Sequence, residues 1–364
     1  MVQVPLTDYG YANTRVRAMR SRLLDERTFD ELLAAADYKR TLGILEDTEY
    51  GRDIEDVVLE GLRPTNIDHA FNINLARNFG KIKDFIDGRP RELIDALLAR
   101  WDLYNLKMIL RGLKALVPKA EITRYLVPAG ELDMTVMEEI ISQPDLRASL
   151  DAIVMFSPQW KIHYGRAVAD AMADYFKERD LSIIELKLDR LHYREIAEVV
   201  KGMDSNSRLA RQVVEMEVDA LNIQTLLRLC GLEIGEDRAQ TYYVPGGGMS
   251  MGEFEEYSRL GQIDELVEML SRRTEFGEAL QRAGKVYEEK GETVFQDELE
   301  QHIIRRCMDI SPDPLGLGVI IGYMWRKYLE ITNLRIIIRG KSIGMIESQI
   351  RKELFMAEET VGAQ

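Results

Sequence analysis

One polar signature occurs three times in this chain, and it constrains the fold more than any other feature. Asp102, Asn105 and Arg111 form the first copy, Asp219, Asn222 and Arg228 the second, and Glu330, Asn333 and Arg339 the third. Each copy reads acid, Asn three residues on, and Arg six further on, with an apolar residue after the Asn and two before the Arg. The acids are 117 and 111 residues apart. Self-similarity at such a period marks one supersecondary unit used repeatedly. Three related units are therefore expected, rather than an enzyme fold around one pocket.

A second marker travels with the first. Pro128 follows Arg111 by 17 residues, and Pro245 follows Arg228 by 17. Proline cannot continue a helix, and glycine frees the bond that follows. Val127-Pro128-Ala129-Gly130 and Val244-Pro245-Gly246-Gly247 thus read as joints, centred on Pro128, Gly130, Pro245 and Gly246. They divide the chain into units 1–128, 129–246 and 247–364. The third copy shows no such joint, because the chain ends 25 residues after Arg339.

Helical geometry assigns the signature residues to faces. With Asp102 at 0°, Asn105 falls at about −60°, Leu106 at about 40° and Ile109 at about −20°, whereas Arg111 falls at about 180°. The acid and the Asn flank the apolar stripe, and the Arg points away from it. A buried amide without a partner is costly, so the Asn is expected to bond backbone of a neighbouring segment. The Arg is placed to pair with a carboxylate of an adjacent helix or unit. Catalysis seldom needs three spaced copies of one constellation, whereas packing of repeated units does. The nine residues therefore read as structural, and no partner-contact residue is assigned.

Apolar spacing of helical period covers 9–24, 28–36, 39–45, 67–86, 91–116, 134–141, 145–154, 160–179, 181–201, 207–229, 251–260, 263–270, 276–288, 293–308 and 315–354, with Asp37 as a cap between two short helices. Strand-like alternation is nearly absent, and 241–244 is too short to count. The expected fold is all-α. The Ser311-Pro312-Asp313-Pro314 break reads as a turn inside the third unit. The longest apolar run, 315–325, is half of the ~20 residues needed to span a membrane, and reads as core.

Composition narrows the function. A net charge of −14 and a pI near 5.0 disfavour nucleic acid and an anionic lipid surface as partners. Cys230 and Cys307 sit in apolar helical contexts with no metal-ligand spacing, which suits a reducing, cytoplasmic setting. The start of the chain shows no signal peptide. No phosphate-binding glycine motif occurs, and Gly246-Gly247-Gly248 reads as a linker. His69, His163, His192 and His302 are scattered, with no pair at ligand spacing. Adjacent acids such as Glu255-Glu256 and Glu358-Glu359 read as solvated faces. No catalytic residue, metal, cofactor or small-molecule ligand is expected.

At several places the chain resembles the C subunit of the archaeal-type (A-type and V-type) ATP synthases, a relative of the d subunit of vacuolar ATPases. The matching residues are Tyr9, Tyr11, Arg15, Val16 and Arg17 in YGYANTRVRA, then Trp101–Lys107, Glu185–Arg190 and Glu330–Arg335. Their order, together with the threefold repeat, carries the resemblance. It implies three similar helical subdomains in a pseudo-threefold funnel. It further implies a non-catalytic rotor part, one copy per complex, at the cytoplasmic face of the membrane. Its partners would be the D and F subunits of the central shaft and the membrane proteolipid ring. The residues alone leave a second reading, a free cytoplasmic helical-repeat adaptor, and a third, an all-α enzyme with a site at unit junctions.

Overall fold

The computed structural model describes residues 9–58, 61, 63–232, 236–310 and 315–355. Among them are twenty α-helices, one short 3-10 turn and no strand, so the architecture is all-α. The reading of 311–314 as a turn and that of Glu358-Glu359 fall outside the described residues.

The helices follow one repeating order. After α1 (Tyr9–Arg20) come a short pair, α2 (Glu26–Ala34) and α3 (Tyr38–Glu46), then α4 (Gly51–Val58) and α5 (Pro64–Asp84). The first signature lies in α7 (Arg100–Lys114), which follows α6 (Gly88–Leu98) and precedes the brief α8 (Lys119–Arg124). The series restarts with α9 (Met134–Ser142), α10 (Leu146–Phe156), α11 (Tyr164–Glu178), α12 (Ser182–Val199), the signature helix α13 (Ser205–Leu229) and α14 (Glu236–Tyr242). It recurs as α15 (Met251–Ser258), α16 (Ile263–Arg273), α17 (Gly277–Lys290), α18 (Thr293–Asp309), the signature helix α19 (Leu317–Ser342) and α20 (Glu347–Glu353).

Local chemistry explains the short pairs. Asp25, Asp37, Asp133 and Asp145 each accept a hydrogen bond from the N–H three residues on, which satisfies an otherwise orphan donor at the helix start. Ser250 does the same for α15, and Glu253 returns a bond to the Ser250 N–H as a capping box. Two expected helices are interrupted. The run 91–116 breaks at Ala99, between α6 and α7. The run 315–354 breaks at Gly344, whose φ of +78° lies where glycine is favoured over any residue with a Cβ.

Contacts group the chain into two compact units, Met1–Lys161 with Ile310–Gln364, and Ile162–Asp309. In the first, α19 packs against α1, α3, α5 and α20, and α7 packs against α6, α8, α9 and α10. The apolar run that opens α19 is core, with Leu317, Ile320, Ile321, Tyr323, Met324 and Trp325 all buried. In the second, α13 packs against α12, α15, α16 and α18, beside the hairpins α11–α12 and α17–α18. Each signature helix thus meets the short pair that comes next in the series. For α19 that pair is the one at the start of the chain: α3 packs on α19 itself, and α2 on the following α20.

Candidate functional site: a repeated acid and asparagine clamp

The three Asn residues perform the same act. Asn105 Nδ2 donates to the Val127 carbonyl at 2.8 Å, and the Val127 N–H donates back to Asn105 Oδ1 at 2.9 Å. Asn222 does this to Val244 at 2.8 and 3.0 Å, and Asn333 to Phe355 at 3.2 and 2.8 Å. The clamped residue is 22 positions on in every copy. Its backbone lies beyond the short helix that follows the signature, where no ladder serves it. An amide side chain presents an N–H donor and a carbonyl acceptor side by side in one plane, so it satisfies both backbone groups at once. Asn105 and Asn222 are fully buried and Asn333 nearly so.

The acids hold the next stretch. Asp102 accepts from the Glu131 and Leu132 N–H groups at 2.9 Å, and Asp219 from the Gly248 and Met249 N–H groups at 2.9 Å. Glu330 accepts from the Leu24 N–H at 2.5 Å. Leu24, Leu132 and Met249 each immediately precede the cap of a short pair, at Asp25, Asp133 and Ser250. The third acid therefore secures the start of the chain as its counterparts secure the segment ahead of them.

The third copy, which has neither the proline nor the glycine of the other joints, still makes the asparagine clamp, at Phe355. Two residues after each proline stand Gly130 and Gly247, and their role is close approach. A Cβ on either would stand 2.1 Å from Oδ1 of Asp102 or Asp219. Gly246 serves differently, at a φ of +116°. Pro128 and Pro245 follow the clamped valines, and a residue before proline is driven to extended backbone. Both prolines lie inside the compact units rather than between them.

The arginines do not share one arrangement. Arg339 donates to Asp68 of α5 at 2.6 Å, and Arg335 bonds Asn72 on the same helix. Arg111 and Arg228 are exposed. The third copy adds a buried group that the repeat does not contain. Lys327, with no exposed surface, donates to Glu330 at 2.9 Å, to the Tyr50 hydroxyl at 2.7 Å and to Glu49. Tyr50 in turn donates to Glu330 at 2.5 Å. Burial, then the adjoining Glu330, pushes the Tyr50 hydroxyl well above its ordinary value, so it remains a donor. Lys327 and Tyr50 escape a search by repetition. The available signal was a lysine just past the apolar run that opens α19, on a helix that is mostly core.

Burial raises all three acids. It lifts Asp102 to about 6, against the pull of the Glu131 and Leu132 N–H groups. Asp219 and Glu330 move in the same direction for the same reason, opposed by the Met249 and Gly248 N–H groups and by Lys327 respectively. The sign follows from linkage. A carboxyl whose folded value lies above its unfolded value of about 4 is costlier to ionise when folded. The cost is absent below about pH 4 and complete above about pH 6. Wild type is therefore expected to lose ~3 kcal/mol relative to Asp102→Asn as pH rises through that window. Urea unfolding of both proteins from pH 4 to 7 measures this, and a constant difference would refute it.

Chemistry of other kinds is sparse. Among the described residues no group of His, Cys, Asp and Glu could hold a metal ion, and neither cysteine forms a disulfide. His192 is buried, its Nδ1 2.7 Å from the Tyr164 hydroxyl.

Fold and site together define an all-helical repeat protein, in which each signature helix is tied by buried polar clamps to the segments after it. The chain belongs to the ATP synthase (C/AC39) subunit family, whose sequence model matches residues 12–353. It is 29% identical to the C subunit of the A-type ATP synthase of Methanosarcina mazei, over 96% of this chain and 93% of that one. It is 28% identical to the C subunit of the V-type ATP synthase of Deinococcus radiodurans, over 95% and 91%. The A-type C subunit of Archaeoglobus fulgidus is 28% identical, over 95% and 96%. The chain is accordingly a non-catalytic subunit of a rotary ATP synthase.

Proposed function

We propose that this chain is the socket of the central stalk. Three similar helical subdomains, near 1–128, 129–246 and 247–364, form a pseudo-threefold funnel. The funnel receives the D and F subunits of the shaft and sits on the membrane proteolipid ring, one copy per complex, at the cytoplasmic face. It passes torque between ion flow and ATP chemistry. The observation that carries this reading is the family match, which runs over nearly the whole chain. A torque adaptor must resist deformation, and buried polar groups that are fully bonded rigidify what they join. Such clamps stand in every copy. Among the described residues no helix is long and apolar enough to cross a membrane, so attachment through protein contacts is proposed.

Gentle detergent extraction of native membranes, followed by capture of the tagged chain, tests the reading. Recovery of the shaft proteins with the ring is expected. Recovery of the chain from the soluble fraction alone, without ATP synthase partners, would overturn it in favour of a free helical-repeat adaptor.

A further inference from the structure

We infer that the side of α1 bearing Arg15 and Arg22, with Lys81 of α5 beside it, is a docking surface for an acidic helical segment of another protein subunit. Residues 9–24 hold Arg15, Arg17, Arg20 and Arg22 and no acid, in a chain whose acids outnumber its bases by 62 to 48. Arg15, Arg20 and Arg22 are exposed. Arg17 is engaged within the chain, but among the described residues neither the other three nor Lys81 forms an ion pair. Arg22 follows Arg15 by seven residues, close to two turns, and so continues the same side of α1, whereas Arg20 falls about 140° away. The end of α5 lies along that side. The Arg15 guanidinium is 5.0 Å over the Phe85 ring, and Tyr11 meets the same ring edge-on at 6.1 Å. Lys81 stands four residues before Phe85, on the same face of α5. Burial, then the Arg77 charge, holds the Lys81 ammonium below its ordinary value, and Arg22 adds to this. The acids that oppose the shift bond elsewhere, Asp53 to Arg77 at 2.7 Å and Glu49 to Lys327. Like charges are thus crowded here without a counter-charge among the described residues, and a carboxylate from outside supplies one.

Charge selects an acidic occupant, and the placing of apolar residues selects protein over lipid. A helix that binds a bilayer surface turns an apolar face into it. The apolar residues of α1, namely Tyr9, Ala12, Val16 and Met19, are buried in the chain's own core. Its outward side beside Arg15 and Arg22 carries Thr14, Ala18 and Ser21, with Tyr11 the exposed large residue, at 52%. The Thr14 and Ser21 hydroxyls already donate to the Gly10 and Ala18 carbonyls, at 3.0 Å each. Such a side offers a bilayer little to bury. It leaves room for a helix laid along it, whose carboxylates the guanidinium groups can take with two parallel bonds each. The net charge of −14 also repels an anionic bilayer as a whole, whereas a single acidic segment responds to the local field. The inference needs only that the chain works within a rotary complex; it does not rest on the socket reading.

The test uses the full chain in complexes extracted gently from native membranes. Arg22→Lys keeps the charge and supplies an amine, which a carbodiimide couples to a carboxyl in direct contact with it. The expected product, read by peptide mass spectrometry, joins that position to an Asp or Glu within an acidic segment of another subunit. Exchanging Arg15 and Arg22 together for Gln is expected to weaken retention of that subunit about tenfold at low salt, about threefold for each exposed ion pair. The difference should vanish near about 1 M salt, where screening is almost complete. Arg20→Gln, on the same helix but another side, should leave retention as in wild type. All three arginines are exposed, so unfolding midpoints should not move. Coupling only within the chain, or none, with other subunits present would overturn the inference. So would full retention by the double Gln variant, or an equal loss with Arg20→Gln. Binding of wild type, but not of the double variant, to protein-free vesicles of phosphatidylcholine and phosphatidylserine would assign the face to lipid and overturn it too. Shaft and ring missing from the capture would defeat the socket reading, while a crosslink to any other subunit would leave this inference standing. Recovery of the chain alone would overturn both.

Discussion

Replacing Lys327 by Met is expected to destabilise the unit formed by the two ends of the chain by about 3–5 kcal/mol near neutral pH. The substitution keeps most of the volume and removes only the charge. Lys327 is fully buried, and its three donors go to Glu330, Tyr50 and Glu49. Glu49 is partly exposed and can turn to water. Glu330, with 4% of its side chain exposed, cannot. Removal of one partner from a buried pair leaves the other as an uncompensated charge, which costs more than the pair contributes.

The pH dependence separates this cause from simple misfit. Burial already raises Glu330, opposed first by Lys327. Without the lysine its folded value rises further. The deficit of Lys327→Met should then be full at pH 7 and shrink as pH falls toward about 4, where the carboxyl is neutral in both states. A second substitution tests the same account. In Lys327→Met with Glu330→Gln, the glutamine can accept from the Leu24 N–H and donate to the Tyr50 hydroxyl. Most of the lost stability should return. A deficit below ~1 kcal/mol, or one that does not change with pH, would contradict the buried-charge argument.

Sequence periodicity exposed the long helices and the short capped pairs, and missed α4, α8 and α14. These three span little more than two turns at most, too few for an apolar stripe to declare itself. The break at Ala99 was hidden because its backbone is still helical, at φ −60° and ψ −18°. The signature residues were visible through repetition, and their faces through the helical wheel. Their partners were not, since Val127, Val244 and Phe355 contribute backbone, which leaves no trace in side-chain identity. Phe355 lacked even the proline that drew attention to the other two. The change from Asp to Glu at 330 looked like loosened symmetry. It marks the copy whose acid meets a different turn: the stretch before Leu24 has no glycine, whereas Gly130 and Gly247 stand against the shorter Asp carboxylates. Lys327 and Tyr50 are 277 residues apart, and no local pattern joins them.

Asn222→Ala is expected to cost the second unit about 2–6 kcal/mol, because it orphans a buried backbone donor and acceptor together, at about 1–3 kcal/mol each. The amide is fully buried and makes two bonds to one residue, at 2.8 and 3.0 Å. Val244 is 1% exposed, so water has little access to the groups left behind. Asn222→Asp should also destabilise the unit near neutral pH, for a different reason. It can still accept from the Val244 N–H, but it cannot donate to the carbonyl, and it brings in a buried charge. Arg228→Ala on the same helix serves as the control. It is exposed, and its loss should fall within about 0.5 kcal/mol. Chemical unfolding of the full chain, followed by a probe within residues 162–309, reads all three. If Asn222→Ala and Arg228→Ala behaved alike, the two faces assigned to the signature helix would be wrong, and the clamp would not be what ties α13 to the segment after it. If they separate as expected, the same pair of substitutions at Asn105 and Arg111 should separate too, because the bonds there differ by no more than 0.1 Å.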